Sequence, residues 1–139
     1  MGNDLHTLIR LGKWNIDEKR RTLGALHDRE EQLLALLRAM DARLAAEQAN
    51  LKLNMAMATT WAAFYQHHCQ QRAAVEQQLA ELRRQIEITR DELGEAFREL
   101  KSFETIQTGR EKREQDERDR KERIFLDEIG LQGHRRRQI

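Results

Sequence analysis

Apolar residues recur every seven positions along the first part of the chain. A repeat of this kind, held over several heptads, indicates a helix of a left-handed coiled coil. Asn3 or Asp4 can serve as its N-cap, so we expect a first helix over about residues 4–53. One register is broken only by Glu30 and contains Ile9, Ile16, Leu23, Leu37, Leu44 and Leu51, and the second seam position holds Leu26, Leu33 and Met40.

The pattern stops over residues 52–61 and then restarts more regularly. Thr59 or Thr60 can cap a second helix, which we expect over about residues 60–108 after a turn at about 54–59. Two seams of similar length joined by a short link predict an all-α, antiparallel two-helix coiled-coil hairpin, here forming a single domain over residues 1–139. The second seam contains Val75, Leu79, Leu82, Ile86, Thr89, Leu93, Ala96, Leu100 and Phe103.

The last part of the chain has no seam. Folding the hairpin at residues 55–58 brings Leu5 level with about residue 109, so we expect residues 109–139 to form a helical or partly disordered extension without an intramolecular partner. Gln115 is the only uncharged residue between Arg110 and Arg123. Acid-first pairs at the favourable i,i+4 spacing support a helix here; they are Glu114–Arg118, Asp116–Arg120, Glu117–Lys121 and Asp119–Arg123. An apolar cluster follows and predicts a docking surface: Ile124, Phe125, Leu126, Ile129 and Leu131.

Composition narrows the class of protein. The chain has no proline, 35% charged residues and 5% aromatic residues, which is typical of long helices. The 25 basic residues are balanced by 24 acidic ones that interleave with them, which disfavours nucleic-acid binding. No apolar run approaches the roughly 20 residues of a membrane span, and the first residues lack the apolar core of a signal peptide. The single cysteine, Cys69, fits a reducing compartment.

Catalytic or metal chemistry has little support in the sequence. His67, His68 and Cys69 are consecutive, so on a helix they point about 100° apart and cannot converge on one ion. No nucleophile–base arrangement or glycine-rich phosphate loop is present, so we expect neither enzymatic activity nor a cofactor. The aromatic group at the hairpin tip, Trp61, Phe64 and Tyr65, either holds the tip closed or anchors another protein.

Three segments together resemble the flagellar export protein family FliJ: LIRLGKWNIDEKRRTLGALHDREEQLLALL, the restart WAAFYQ, and the charged run that ends in LDEI. The resemblance covers nearly the whole chain. It implies a small soluble coiled coil, similar to the central stalk subunit of rotary ATPases, that serves flagellar type III export and therefore motility. The implied partners are the hexameric export ATPase, the cytoplasmic part of the membrane export gate, and export chaperones. The implied location is the cytoplasm, peripherally at the flagellar base and without direct membrane insertion.

The resemblance also assigns binding residues at the two ends of the hairpin. The end with the extension is expected to bind the ATPase through Leu5, Ile9, Arg10, Trp14, Arg113, Arg120, Phe125, Leu126 and Ile129. The tip is expected to bind the export gate through Leu44, Leu51, Trp61, Phe64 and Tyr65.

Two alternatives share parts of this pattern. The corresponding stalk of an injectisome has the same layout of helices. A generic structural coiled coil would instead form a homodimeric parallel rod without an ATPase partner.

Overall fold

The computed structural model describes residues 2–54, 56 and 58–137, and side chains from Asp4 onward within those ranges. Two helices account for nearly all of them: α1 spans Gly2–Leu53 and α2 spans Ala58–Arg137. No strand occurs in the described part of the chain. The two helices pack against each other, which confirms the predicted all-α helical hairpin.

Asn54 ends α1 with two hydrogen bonds. Its backbone N–H donates to the carbonyl oxygen of Asn50 at 2.9 Å, which completes the last turn. Its side-chain oxygen accepts from the backbone N–H of Ala56 at 3.1 Å. This Asx-type turn satisfies a backbone donor outside the helix and directs the chain into the connection. Asparagine therefore supplies the stop signal that neither proline nor glycine supplies here.

The chain separates into two compact units, each containing a segment of both helices. The tip unit is Trp14–Ala96, and the terminal unit combines Met1–Lys13 with Phe97–Ile139. The predicted single domain remains a prediction, and the two units are described in turn.

The core of the tip unit is one layer of aliphatic side chains between the helices. Leu33 is the most completely buried of them, with 2% of its surface exposed. Leu37 belongs to the same cluster as Val75 and Leu79. Truncating such a core leucine to alanine typically costs about 2–5 kcal/mol. The cluster contains Leu33, Leu37, Val75, Leu79, Leu82 and Ile86, with Leu23, Leu26, Leu34 and Met40 packed against it.

Ion pairs between the helices fix the register of the tip unit. Their α1 members are eleven residues apart, about three helical turns, and so lie on one face of the helix. Arg72 holds both carboxylate oxygens of Asp41, through Nε at 2.9 Å and a terminal nitrogen at 3.1 Å. The pairs are Asp41–Arg72, Glu30–Arg83 at 3.2 Å and Lys19–Glu92 at 3.0 Å. Rising numbers on α2 face falling numbers on α1, as an antiparallel arrangement requires.

The terminal unit uses the same two helices with a closer contact. Leu5 and Ile9 of α1 are buried, each 8% exposed. At Gly12 a Cβ atom would lie 3.2 Å from Cδ1 of Leu100, so the missing side chain is what lets Leu100 approach α1. Elsewhere in this unit, His6 and the Gln107 amide meet at 3.2 Å. Gly12 thus has a role in the packing between the helices.

Substitution by alanine should affect stability differently at Gly24 and at Gly12. A Cβ at Gly24 would meet nothing within 4 Å, so Gly24→Ala should raise the free energy of unfolding by about 0.5–1 kcal/mol through the higher helix propensity of alanine. At Gly12 the same gain is offset by the contact with Leu100. Urea denaturation followed by circular dichroism measures both variants. An equal or larger gain from Gly12→Ala would contradict the close-contact assignment.

The Asp41–Arg72 pair predicts a loss of stability in acid. The hydrogen bonds from Arg72 lower the pKa of Asp41, with the nearby charge adding to the effect. Because the folded-state pKa lies below the unfolded one, the pair stabilises the fold above the ordinary aspartate pKa of about 4 and loses that effect as the pH falls through the lowered value. Wild type should therefore lose more stability than Asp41→Asn below about pH 4.

The matched control for this pH measurement is Asp28→Asn. Asp28 lies on the same helix and is exposed. Its variant should follow the wild-type pH profile of unfolding midpoints. A profile for Asp41→Asn that runs parallel to wild type would show that the pair contributes nothing in the folded state.

Candidate functional site

The C-terminal extension, residues 109–137, continues α2 as helix. Every side chain from Arg110 to Gln132 is exposed to solvent. The extension is therefore the longest stretch of helix in the described chain that no other part of the protein covers. Its helical state confirms one of the two forms that the sequence allowed.

Side-chain contacts within the helix stabilise the charged part of the extension. Arg120 binds Glu117 at 2.9 Å, which lowers the pKa of Glu117 and raises the pKa of Arg120 through their hydrogen bond. Gln115 accepts from Arg118 at 2.8 Å and donates to Asp119 at 2.9 Å. Arg120 thus uses an acid three residues away, where the sequence pointed to Asp116. Such exposed pairs each add a small increment that biases an isolated helix toward its folded form.

The apolar part of the extension is open to solvent. Phe125 is 60% exposed and Ile129 is 49% exposed, and their i,i+4 spacing places them on one side of the helix. Leu126, at 55%, adjoins both. Apolar side chains grouped in this way on an uncovered helix are typical of a surface that binds another molecule.

The N-terminal candidates differ in exposure. Leu5 and Ile9 are buried against α2 in the terminal unit, whereas Arg10 is exposed. Leu5 and Ile9 therefore belong to the packing between the helices and do not present their side chains at the surface. Trp14, in the tip unit, is 62% exposed.

The aromatic group at the tip packs on itself. The ring centroids of Trp61 and Phe64 lie 5.8 Å apart, and those of Trp61 and Tyr65 lie 5.9 Å apart in a near-parallel stack. Arg43 of α1 places its guanidinium 5.5 Å from the centre of the Phe64 ring. Trp61 and Phe64 are half-buried, and Tyr65 is 46% exposed. This arrangement favours a role in holding the tip closed for Trp61 and Phe64, and leaves Tyr65 accessible.

The other tip candidates, Leu44 and Leu51, are half-buried on α1. Leu51 joins Glu47, Thr60, Trp61 and Phe64 in lining a small depression of about 200 Å³. Three of these five side chains, Leu51, Trp61 and Phe64, are apolar.

His68 and Arg72 extend the seam toward the tip, a feature that the sequence reading missed. His68 is 8% exposed and stacks on Phe64 with the ring centroids 6.4 Å apart. Arg72 bridges Asp41 and Glu76. His68 lies seven residues before Val75, and Arg72 lies seven residues before Leu79. This heptad spacing could have identified both as seam positions, because the spacing does not depend on the residue type. The neighbouring Cys69 is exposed, and its hydrogen bond with Tyr65 raises the pKa of the tyrosine.

A groove runs along one flank of the tip unit, and we name it the flank groove. Its apolar stretch has a volume of about 500 Å³ and is lined by Leu36, Ala39, Met40, Arg43, Gln71, Ala74 and Val75. Ala74 also lines a second, more polar depression of about 810 Å³, which includes Arg29, Leu33, Gln78, Glu81 and Gln85. The α1 residues that line the two depressions recur every three or four positions and therefore lie along one side of the helix.

These features suit protein binding. Within the described ranges, no three His, Cys, Asp or Glu side chains are grouped so that they could hold a metal ion. The side chains whose pKa is shifted mainly form ion pairs and hydrogen bonds on the surface. No helix in the described part of the chain is both long and apolar enough to cross a membrane.

Comparison with known proteins identifies the group to which the chain belongs. The family model described as "Flagellar FliJ protein" matches residues 1–138. No curated protein and no solved structure gives a significant match. Because the family match spans essentially the whole chain and the fold is the helical hairpin expected for it, the chain belongs to the flagellar FliJ family of proteins associated with type III export.

Proposed function

We propose that the chain acts as a stalk in the flagellar type III export apparatus, binding the hexameric export ATPase with its C-terminal extension and the export gate with its tip. The observation that carries the proposal is the uncovered helix from Arg110 to Gln132, which ends in an exposed apolar cluster. A helix that protrudes from a packed pair can enter a channel or ring that two packed helices would fill.

The chemistry of the extension fits such a partner. The charged part, residues 110–123, covers about 20 Å of helix at 1.5 Å per residue. Its bases and acids interleave along the helix and Arg120 already pairs with Glu117, so it can lie against a mixed polar wall with little rearrangement. The apolar side chains beyond it supply the buried contacts that usually dominate binding energy.

In this proposal the ATPase-binding residues have two roles. Arg113, Arg120, Phe125, Leu126, Ile129 and Arg10 are exposed and are assigned direct contact. Leu5 and Ile9 are assigned a supporting role because they are buried. Trp14 remains a separate candidate for contact.

For the gate, Tyr65 is assigned the direct contact, since it is the most exposed of the three tip aromatics. Leu44, Leu51, Trp61 and Phe64 shape the surface around it. Export chaperones are further proposed partners, and the proposed location is the cytoplasmic face of the flagellar base. The chain itself is proposed to have no catalytic activity and to alter that of the ATPase.

If the exposed apolar residues of the extension contact the ATPase, truncating them should reduce stimulation of ATP hydrolysis. The double variant Phe125→Ala, Ile129→Ala should reduce stimulation of the export ATPase about tenfold, as expected for the loss of two central apolar contacts. Its helix content should stay at the wild-type level because neither side chain is buried in the chain itself. Steady-state ATP hydrolysis over a titration of the chain is the measurement.

Ile88→Ala is the matched control for this experiment. Ile88 is 52% exposed but lies in the tip unit. It should stimulate like wild type, and deletion of residues 110–139 should abolish stimulation. Full stimulation by the deletion variant would remove the ATPase assignment.

The tip aromatics predict separable effects on binding and stability. Tyr65→Ala should weaken binding to the cytoplasmic part of the export gate with little change in melting temperature, because the ring is largely exposed. Trp61→Ala should lower the free energy of unfolding by about 1–3 kcal/mol, because it removes half-buried aromatic contacts. Calorimetric binding and thermal melts test both. Unchanged gate affinity for Tyr65→Ala would reject its contact role.

A further inference from the structure

We propose that the terminal unit binds a second copy of this chain in a symmetric antiparallel dimer, with the twofold axis at Ile106. The surface that carries the proposal is an exposed apolar patch, which we name the terminal patch: Leu8, Leu11 and Ile106. These three side chains are 42%, 56% and 45% exposed and so lie outside the buried seam between the helices. Apolar side chains grouped in this way are typical of a surface that another helix covers.

A contact between the helices shows that both contribute to the terminal patch at one level. His6 of α1 meets Gln107 of α2 at 3.2 Å, and the two helices run in opposite directions from this point. Leu8, two residues later on α1, is therefore level with residue 105 of α2, one position from Ile106. At 1.5 Å of rise per residue, Leu8 and Ile106 stand at the same height to within about 2 Å.

Leu8 and Ile106 also lie on the same flank of the helix pair. Leu8 stands three residues after the buried Leu5, and Ile106 stands three residues after the half-buried Phe103. Leu5 and Phe103 hold equivalent heptad positions, because the next seam residue follows each of them after four positions. In an antiparallel pair, equivalent positions beside the seam face the same flank. Leu11, three residues after Leu8, widens the patch on α1.

The side of α2 that contains Ile106 is complementary to itself in charge. Residues seven apart lie on nearly the same side of a helix, and Glu99 and Arg113 stand seven residues before and seven residues after Ile106. Both are exposed. When two copies of α2 meet antiparallel at Ile106, Glu99 of each copy comes level with Arg113 of the other. The twofold axis thus forms two pairs of opposite charge, which favours a second copy over an unrelated helix.

The same order of charges continues along α2. Glu92 stands seven residues before Glu99, and Arg120 stands seven residues after Arg113. Glu92 and Arg120 already form ion pairs within the chain, so we assign the choice of partner to the two inner charges. Arg113 donates through Nε to a backbone carbonyl of its own helix at 3.3 Å, and the proposed pair uses its terminal nitrogens.

Small residues beside Ile106 allow the second copy to approach closely. Ser102 lies four residues before Ile106 and Gly109 lies three residues after it, which places both on the same side of α2. Among the described residues, a Cβ atom at Gly109 would meet only the flexible end of an arginine side chain, at 3.9 Å. The space beside Gly109 is therefore open to another molecule.

The apolar residues of the two copies form one closed cluster. α1 runs antiparallel to α2, and α2 runs antiparallel to its counterpart, so α1 runs parallel to α2 of the second copy. Leu8 then meets Ile106 of the second copy. Leu11, three residues later, lies over the Gly109 of that copy, where no side chain blocks it. Six apolar side chains, three from each copy, surround the twofold axis.

Charge reversal tests the antiparallel register on the full-length chain. Sedimentation velocity from micromolar to millimolar concentration measures the dimer dissociation constant. Glu99→Arg and Arg113→Glu should each raise it about tenfold, because each places like charges at both symmetric contacts. An equimolar mixture of the two variants should associate like wild type, since every contact between unlike copies again joins opposite charges. Glu111→Arg is the control and should leave the constant unchanged, because Glu111 is exposed but lies about 140° around α2 from Ile106.

A disulfide at the twofold axis gives a second readout. Cys69 is exposed, so the experiment uses a Cys69→Ser background. Ile106→Cys places the same thiol of both copies beside the axis, and mild oxidation should convert most of the chain into covalent dimers. Thr108→Cys is the control and should stay monomeric, because Thr108 is exposed but lies about 200° around α2 from Ile106.

Gly109→Gln separates association from folding. Glutamine has a higher helix propensity than glycine, so at low concentration the variant should unfold at a higher urea concentration than wild type. Its side chain occupies the space that Leu11 of the second copy needs, so the dimer dissociation constant should rise about tenfold. Circular dichroism and sedimentation velocity measure the two effects.

Three results would overturn the proposal. The first is a chain that remains monomeric up to millimolar concentration. The second is a dimer whose dissociation constant neither Glu99→Arg nor Arg113→Glu changes. The third is a mixture of these two variants that associates as weakly as each variant alone, which would show that Glu99 and Arg113 do not face each other across the axis.

Discussion

Two packed helices share only one surface, and the rest of this structure follows from that constraint. A helix in a bundle of three or more can bury two faces, whereas here each helix buries a single stripe. Even the best-buried core side chain, Leu33, retains 2% exposure. With such a narrow core, position along the helix has to be set by directed contacts. The ion pairs from Lys19, Glu30 and Asp41 provide them at regular intervals.

Polar residues within the seam are consistent with the same need. His68 and Thr89 are both buried between the helices. A purely aliphatic seam could pair in several registers if one helix slid along the other. A polar side chain, or a glycine without a side chain, fits only opposite a matching neighbour. Gly12 is the clearest case, because the contact with Leu100 needs a position without Cβ. Specificity of register is thus spread over ion pairs, buried polar groups and one glycine, at some cost in apolar burial.

The sequence predicts the core well because coiled-coil packing is periodic. The α2 seam positions from Val75 to Phe103 were predicted from spacing alone, and each is buried or half-buried. Where the seam residue is polar, the signal fades, so the continuation through His68 and Arg72 was missed. The helical state of the extension could not be predicted either. Each of its exposed charged pairs contributes little, which leaves a lone helix near balance.

The exposure of the candidate binding residues was harder to predict, for a different reason. Leu5 and Ile9 are buried because the two helices pair, and their local sequence does not encode this. The family resemblance assigned them to the expected binding end but could not show that their side chains are buried. The flank groove likewise needs both helices, since Met40 and Ala74 come together only on folding. Surfaces formed by one helix, such as Phe125 with Ile129, were visible from spacing.

A helix that is already formed binds at lower cost than a disordered segment. Ordering a residue costs about 1–2 kcal/mol of backbone entropy, so a tail that folded only on binding a partner would use much of its contact energy on folding. The pair of Arg120 with Glu117 and the contacts of Gln115 reduce that cost in advance. The structural role of the charged part is then preorganisation: it keeps the apolar cluster on a helix without covering it.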